Sequence, residues 1–396
     1  MWSLACLVAV GLAGLLSFIA TSSLVSSTRR IERNSGPVLV ATQDVLASVA
    51  EADAASTSVF LAGQNEDRAQ RLLYEESLSR SVSQVEEVAR LIGDDEEAHT
   101  ALKSVASELV VYSGQVESAR SASIAGSADA DGLLTVSLAT VRDRIFPEID
   151  QIAVRADAQV DDDTRGLTST VVAVAAALLS ALVLLAANRS VRRRTNRLVN
   201  LGLVGGAVLF VGLAVWVAAA SSARSVELDR ARSGGFEAIA STARIQQAGF
   251  SYKTAEAVSI VEGRSDPELA NHASIVETLL SEAAGLADSD REDAAVVELS
   301  IRWQRYLATS QQVATLLDSD SVVEARSYAA ADGNSAFNGF NTAVESVLSD
   351  NRSQFADGVD SARGALSYLR VASIVFAVIA ALGAWFGLQT RIDEYQ

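Results

Sequence analysis

Residues 167–220 read LTSTVVAVAAALLSALVLLAANRSVRRRTNRLVNLGLVGGAVLFVGLAVWVAAA, and this stretch decides the fold. Its two apolar runs, 167–187 and 198–220, contain no Asp, Glu, Lys, Arg or His. Each is long enough to cross a hydrocarbon layer roughly 30 Å thick as a helix of about 20 residues. Between them, residues 188–197 hold Arg189, Arg192, Arg193, Arg194 and Arg197 and no acid. A dense basic hinge beside two membrane ends stays in the cytoplasm.

Working outward, residues 2–20 and 371–388 are also uncharged and span-length. Four spans predict both chain ends inside, with segments 21–166 and 221–369 outside and a cytoplasmic tail at 389–396. Trp2 and Trp385 then fall near the inner interface and Trp216 near the outer one, as aromatic belts place them. The expected residence is the cell membrane, multi-pass, in contact with the lipid bilayer. The first outer segment carries 13 Lys/Arg against 25 Asp/Glu, the second 12 against 22. That balance, within a net charge of −17 over 396 residues, argues against nucleic acid, which needs clustered Lys and Arg.

Catalytic and cofactor chemistry finds few residues to work with. Cys6 is the single cysteine and His99 and His272 are the two histidines, which excludes a disulfide framework and cysteine-based metal sites. No P-loop, zinc-protease, nucleophile-elbow or kinase pattern occurs. Spans free of ionisable residues speak against an ion-coupled transporter. The expectation is a non-enzyme without cofactor or metal. His99 follows Asp94, Asp95, Glu96 and Glu97, and acids in a first helical turn are the ordinary electrostatic preference of a helix N-terminus.

The chain reads as a duplication, each half being span, outer segment, span. A shift of 200 pairs Ala20 with Ala220, Ser22 with Ser222, Arg30 with Arg230 and Gly63 with Gly263. A shift of 198 pairs Asp162, Arg165 and Gly166 with Asp360, Arg363 and Gly364. Inside each half the apolar spacing is helical. Leu102, Val105, Leu109, Tyr112, Val116 and Ala119 step by three and four, the mark of a buried seam. So do Leu78, Val82, Val85, Ala89 and Ile92, and likewise Val296, Leu299, Trp303, Tyr306, Val313 and Leu317, with Ser310 between. Trp303 on such a seam is expected to be core.

Turns are expected at 63–66, 93–95 and 121–132, and at 263–267, 288–290 and 318–333. They divide each outer segment into four helices. The predicted fold is all-α: four transmembrane helices and two tandem extracytoplasmic four-helix bundles continuous with them. The distal tips would carry Gly63, Asn65, Glu66 and Asp67 in one half and Gly263, Arg264 and Asp266 in the other. These and the five hinge arginines are the candidate partner-binding residues.

The outer segments resemble the four-helix-bundle sensor domains of bacterial chemoreceptors and histidine kinases. More narrowly, the chain resembles the actinobacterial GlnX family of four-span membrane proteins. The stretches that carry this are residues 28–55 (TRRIERNSGPVLVATQDVLASVAEADAA), the hinge NRSVRRRTNR and the terminal RIDEYQ. The resemblance implies an extracytoplasmic amino-acid-binding lipoprotein, GlnH-like, as one partner and a cytoplasmic Ser/Thr protein kinase, PknG-like, as the other. A second copy of the chain is a further candidate partner. Two other readings stay open, a chemoreceptor-like sensor that binds a small molecule directly and an envelope scaffold that senses nothing.

Overall fold

The structure is a computed structural model that describes residues 15, 18–19, 22–23, 25–27, 29–62, 68–164, 167–195, 201–230, 237–287, 289–366, 368, 371–372, 374–376, 378–379 and 382. It is all-α, with no strand among the described residues. The first half supplies α1 (Gly36–Ala62), α2 (Arg68–Leu91), α3 (Glu96–Ile124), α4 (Ala130–Thr140) and α5 (Phe146–Thr164). After α6 (Leu167–Thr195) and α7 (Leu201–Arg230) the second half repeats the order. It comprises α8 (Ala238–Glu262), α9 (Leu269–Leu286), α10 (Asp290–Asp318), α11 (Val322–Tyr328) and α12 (Asn334–Leu366).

The ends of these helices follow from local chemistry. Asp95 caps α3 by accepting from the Ala98 amide at 3.0 Å, and Ser289 caps α10 by accepting from Glu292 at 3.3 Å. Both satisfy amides that the first helical turn leaves unpaired. His99 Nε2 lies 2.8 Å from the Gly93 carbonyl, so the acidic run around it serves a helix start. Gly263 ends α8 in the left-handed region at φ 66°, which its missing Cβ permits. A π-helical turn, Ile31–Ser35, precedes α1 and another, Val141–Ile145, joins α4 to α5. Pro37 and Pro147 each sit two residues beyond such a turn. A proline lacks the N–H that would close the preceding α-turn, and the chain widens to accommodate it.

Two compact units result: Arg33–Ala158 with Ala231–Ala356, and Met1–Glu32 with Gln159–Arg230 and Asp357–Gln396. In the first unit helices of the two halves pack together, so the two tandem bundles of the expectation are not clearly resolved as bodies of their own. Helices α1 and α8 pack directly on each other, so α1 is enclosed by α2, α3 and α8 at once. Its buried positions run around most of its circumference, from Val38 and Leu39 to Phe60 and Leu61. Small residues (Gly, Ala, Ser and Thr) fill about half of these positions, where they let neighbouring helices approach closely, and Val and Leu fill most of the rest.

The seams on α3 and α10 are buried as expected, from Leu102 to Ala119 and from Val296 to Leu317. Trp303 and Tyr306 are fully enclosed in an aromatic cluster, Trp303 lying 5.2 Å from Tyr252 and 5.3 Å from Phe340 between ring centres. The α2 seam is different. Val82 is 45% exposed, and the buried face is Tyr74, Ser77, Ser81, Val85 and Val88. Two serines were chosen over two aliphatics because α1 presents polar partners there. Ser77 donates to Glu51 at 2.8 Å and Ser81 to Ser48 at 2.9 Å. The third turns of each half are also tighter than expected. Helix α3 runs to Ile124, and 318–333 is mostly helical, comprising α11 and a π-turn, Ala329–Gly333.

In the second unit α6 and α7 pack along an alanine-rich seam. Ala173, Ala177, Ala181, Leu184 and Ala187 meet Leu203, Ala207, Phe210, Ala214 and Val217. Small residues at such a contact are how helices associate in lipid, and Gly206, which with Gly202 forms a G-x-x-x-G pattern in α7, is buried. Val25 and Phe376 pack against the same cluster, with Phe376 edge-on to Trp216 at 6.0 Å. The outward residues are apolar too: Leu179, Leu182, Val208 and Val215 are each at least 60% exposed. Among the described residues three helical stretches are long and apolar enough to cross a membrane, Arg33–Ala62, Thr170–Arg189 and Leu203–Asp229. The first of these owes its apolarity to the bundle core that encloses it. The other two, with their lipid-like exteriors, are compatible with a membrane protein. Most of the expected spans 2–20 and 371–388 lies outside the described residues.

The expected hinge 188–197 is not a loop throughout, because α6 continues as helix to Thr195. Arginines are favourable at a helix C-terminus, where the backbone dipole is negative. A single glycine lets the Phe340 ring of α12 lie against α8. A Cβ at Gly249 would stand 2.6 Å from Phe340 Cε1. Gly249→Ala should therefore lower unfolding free energy by about 1–3 kcal/mol through overpacking, measured by thermal or denaturant unfolding with circular dichroism.

Candidate functional site

The α1–α8 contact is built from small and hydroxyl-bearing residues whose polar atoms are satisfied locally. Thr42 donates to the Val38 carbonyl at 2.7 Å, and Ser56 and Thr57 donate to the Asp53 carbonyl at 2.8 and 2.9 Å. These alcohols fold back on their own helix and leave a surface against which another helix can lie.

Charged groups interrupt this surface at matching registers. Asp53 is buried, its Oδ2 accepts from Thr254 Oγ1 of the other half at 3.3 Å, and its Oδ1 has no partner. Loss of hydration pushes its carboxyl up to about 7, against smaller lowering effects of Thr254 and Tyr112. A shift of 200 residues maps Asp53 onto Lys253, which is equally buried and pairs with Glu256 at 2.9 Å. Glu256 also accepts from Tyr306 at 2.9 Å. The two halves thus share a register for buried charge but fill it with a lone acid in one and a bonded ion pair in the other.

Beside this contact lies a polar cleft of about 290 Å³ between the halves. Helix α1 contributes Asp44, Ser48 and Glu51, α2 contributes Arg80 and Gln84, α8 contributes Gln246, and α12 contributes Glu345 and Arg352. Arg80 pairs with Glu51 at 2.8 Å and Arg352 pairs with Asp44. Ser48 donates to Gln84 at 2.6 Å. Gln246 donates to Asn341 at 2.9 Å, and Asn341 donates to Glu345 at 3.0 Å. Burial raises the Asp44 carboxyl above the ordinary range in spite of Arg352. Burial raises Glu345 too, assisted by the nearby charge of Glu51.

None of the described residues expected to bind partners lines this cleft. Gly63, Asn65, Glu66 and Asp67 lie outside the described residues, as does Arg197. Gly263 is the α8 cap, Arg264 pairs with Glu262 at 2.7 Å, and Asp266 accepts from the Glu268 amide at 2.9 Å. Arg189 is exposed on α6, and Arg192, Arg193 and Arg194 belong to its last turns. Sequence reading passed over Asp44, Glu51 and Asp53, although they are the only charges in the 27 residues of α1. That was the available signal, because an acid in an apolar run is expensive unless it is paired or used.

Residues 27–165 match the family described as an actinobacterial sensor domain. This supports an actinobacterial sensor protein. No curated protein and no solved structure matches the chain. The matched segment contains α1 to α5 and with them Asp44, Glu51, Asp53 and Arg80, whereas Gln246, Glu345 and Arg352 come from the other half.

The displaced Asp53 carboxyl makes stability depend on pH. The folded state holds this proton more tightly than the unfolded chain. Its contribution is therefore complete below the unfolded value near 3.8 and is lost as pH rises through about 7. A displacement of that size corresponds to at most about 4 kcal/mol. Asp44 and Glu345 are raised as well and act in the same sense. Asp53→Asn should flatten the fall in melting temperature between roughly pH 5 and pH 8, relative to the parent protein, in parallel thermal scans.

Proposed function

We propose that the chain is a non-enzymatic transmembrane signal transmitter for amino-acid availability. In this reading a GlnH-like solute-binding lipoprotein is sensed outside, and a PknG-like Ser/Thr kinase is informed inside. The observation that carries the proposal is the sensor-domain match over residues 27–165. It occurs in a chain that also holds an apolar helix pair, α6 and α7. The resemblance to GlnX-type proteins supplies the identity of the partners. The arginines from Arg189 to Arg197 supply the orientation, with the basic end in the cytoplasm.

A signal of this kind needs two arrangements of the helices that differ by only a few kcal/mol. The cleft between the halves offers a place for such a difference, since its ion pairs tie α1 to α2 on one side and to α12 on the other. A sensor that binds a small molecule directly is the second reading, and the polar cleft is the observation in its favour.

Photo-crosslinkers at Arg264 and Asp266 should capture a solute-binding lipoprotein in intact cells, and one at Arg193 should capture a Ser/Thr kinase. Replacing Arg189, Arg192, Arg193, Arg194 and Arg197 by Gln should weaken the kinase response about fivefold or more, with topology checked by cysteine accessibility. Labelling of Arg264 and Arg193 from the same side of the membrane would overturn the reading. So would an undiminished kinase response in the five-glutamine variant.

A further inference from the structure

The cleft between the halves holds more hydrogen-bonding capacity than its own residues use. Gln246 is 4% exposed, and its Oε1 has no partner even though its Nε2 is bonded to Asn341. Arg352 pairs with Asp44, yet its Nε is buried without a partner. Glu345 receives one hydrogen bond, from Asn341, and forms no ion pair among the described residues. Buried polar groups are almost always satisfied, so a set of unused ones at a single place calls for an explanation. Here the buried unused set has two members, an acceptor on Gln246 and a donor on Arg352, and beside them the exposed carboxylate of Glu345 carries a charge that no ion pair among the described residues offsets.

The charges narrow the ligand. Asp44, Glu51 and Glu345 outnumber Arg80 and Arg352 by one, and each arginine already faces one of the other two acids. A simple anion would therefore meet three carboxylates. A simple amine would satisfy Glu345 and Gln246 but leave the Arg352 donor unused. A bare metal ion needs several converging oxygen donors, and no group of three or more His, Cys, Asp or Glu suited to a metal occurs among the described residues. A molecule with an ammonium group and a carboxylate a few bonds apart complements both parts. At about 290 Å³ the cleft stands at the lower end of small-molecule sites, which run from roughly 300 to 1,000 Å³. That size suits an amino acid better than a nucleotide.

We propose that this cleft binds a small zwitterion of the α-amino-acid class, its ammonium held by Glu345 and Gln246 and its carboxylate by Arg352 with Arg80. The inference rests on the sensor reading for its role, and on the cleft alone for its existence. Residues from both halves form the site, so an occupant bridges α1 and α2 to α8 and α12. It replaces the repulsion between Glu345 and Glu51 with an attraction to a shared cation. Direct binding of this kind tightens the contact between the repeats.

The test uses the full chain in lipid nanodiscs, titrated calorimetrically with the standard L-amino acids one at a time. Propylamine and propionate serve as single-charge probes. At least one amino acid should bind, with propylamine and propionate each at least tenfold weaker. Glu345→Gln keeps the side-chain shape and removes a charge that Glu51 repels, so its melting temperature should equal or exceed that of the parent protein. It should bind the same amino acid at least tenfold more weakly. Absence of binding by every amino acid would overturn the inference, as would propylamine binding equally well or affinity unchanged in folded Glu345→Gln. The lipoprotein crosslink at Arg264 and Asp266 is read separately. A crosslink without amino-acid binding would remove this inference and leave the transmitter reading standing.

Discussion

Direct packing of α1 on α8 is the constraint from which the rest of the helical unit follows. Helix α1 is enclosed on nearly every side, and the small residues at about half of its buried positions let three neighbours approach it together. This explains why a helix of the bundle unit is long and apolar enough to be a candidate membrane span, although its mean hydropathy of 1.3 is below the 2.6 and 2.3 of the stretches in α6 and α7. It also explains why its polar residues are mainly Ser and Thr, whose hydroxyls can return to their own helix. The close approach of Gly249 to Phe340 is the same constraint at the outer side of α8.

Around that contact the repeats have diverged by exchanging polar groups while keeping their registers. In the first half Tyr112 of α3 donates to Ser56 of α1 at 3.1 Å. In the second half the tyrosine is on the first helix and the serine on the third, with Tyr252 and Ser310 2.8 Å apart. A tyrosine–serine bond therefore fixes first helix to third in both halves with the partners reversed. Asp53 and Lys253 show the same principle with charge. Removing one member of such a buried set costs more than the set contributes, because the remaining group is left in a poor dielectric without compensation. Polar groups of this kind favour one packing arrangement over the near alternatives available to two similar bundles.

A sensor needs a place where small forces decide between arrangements. The interior of each half does not offer one, since aromatic packing around Trp303 and aliphatic packing around Val105 and Leu109 tolerate little change. The contact between halves does. It carries a carboxyl that titrates near neutrality, a cleft with ion pairs to two helices, and buried atoms with bonding capacity left over. Residues from both halves contribute to this contact.

The seams of α3 and α10 and the turn at Gly263 could be read from the chain, because each depends on neighbours within about one helical turn. The all-helical class and the apolar character of α6 and α7 were legible for the same reason. Periodicity misled on α2, where Ser77 and Ser81 replace Leu78 and Val82 on the inner face. A serine is chosen there for partners on α1, which no local pattern reveals. The same limit hid the merging of the halves and the cleft. Asp44 meets Arg352 across 308 residues, and complementarity at that separation is a property of the packed surfaces alone. Local spacing determined which segments became helices and which face most of them buried. Which helix lies against which, and therefore where charge is left without a partner, was decided only when all the helices competed for the same buried volume.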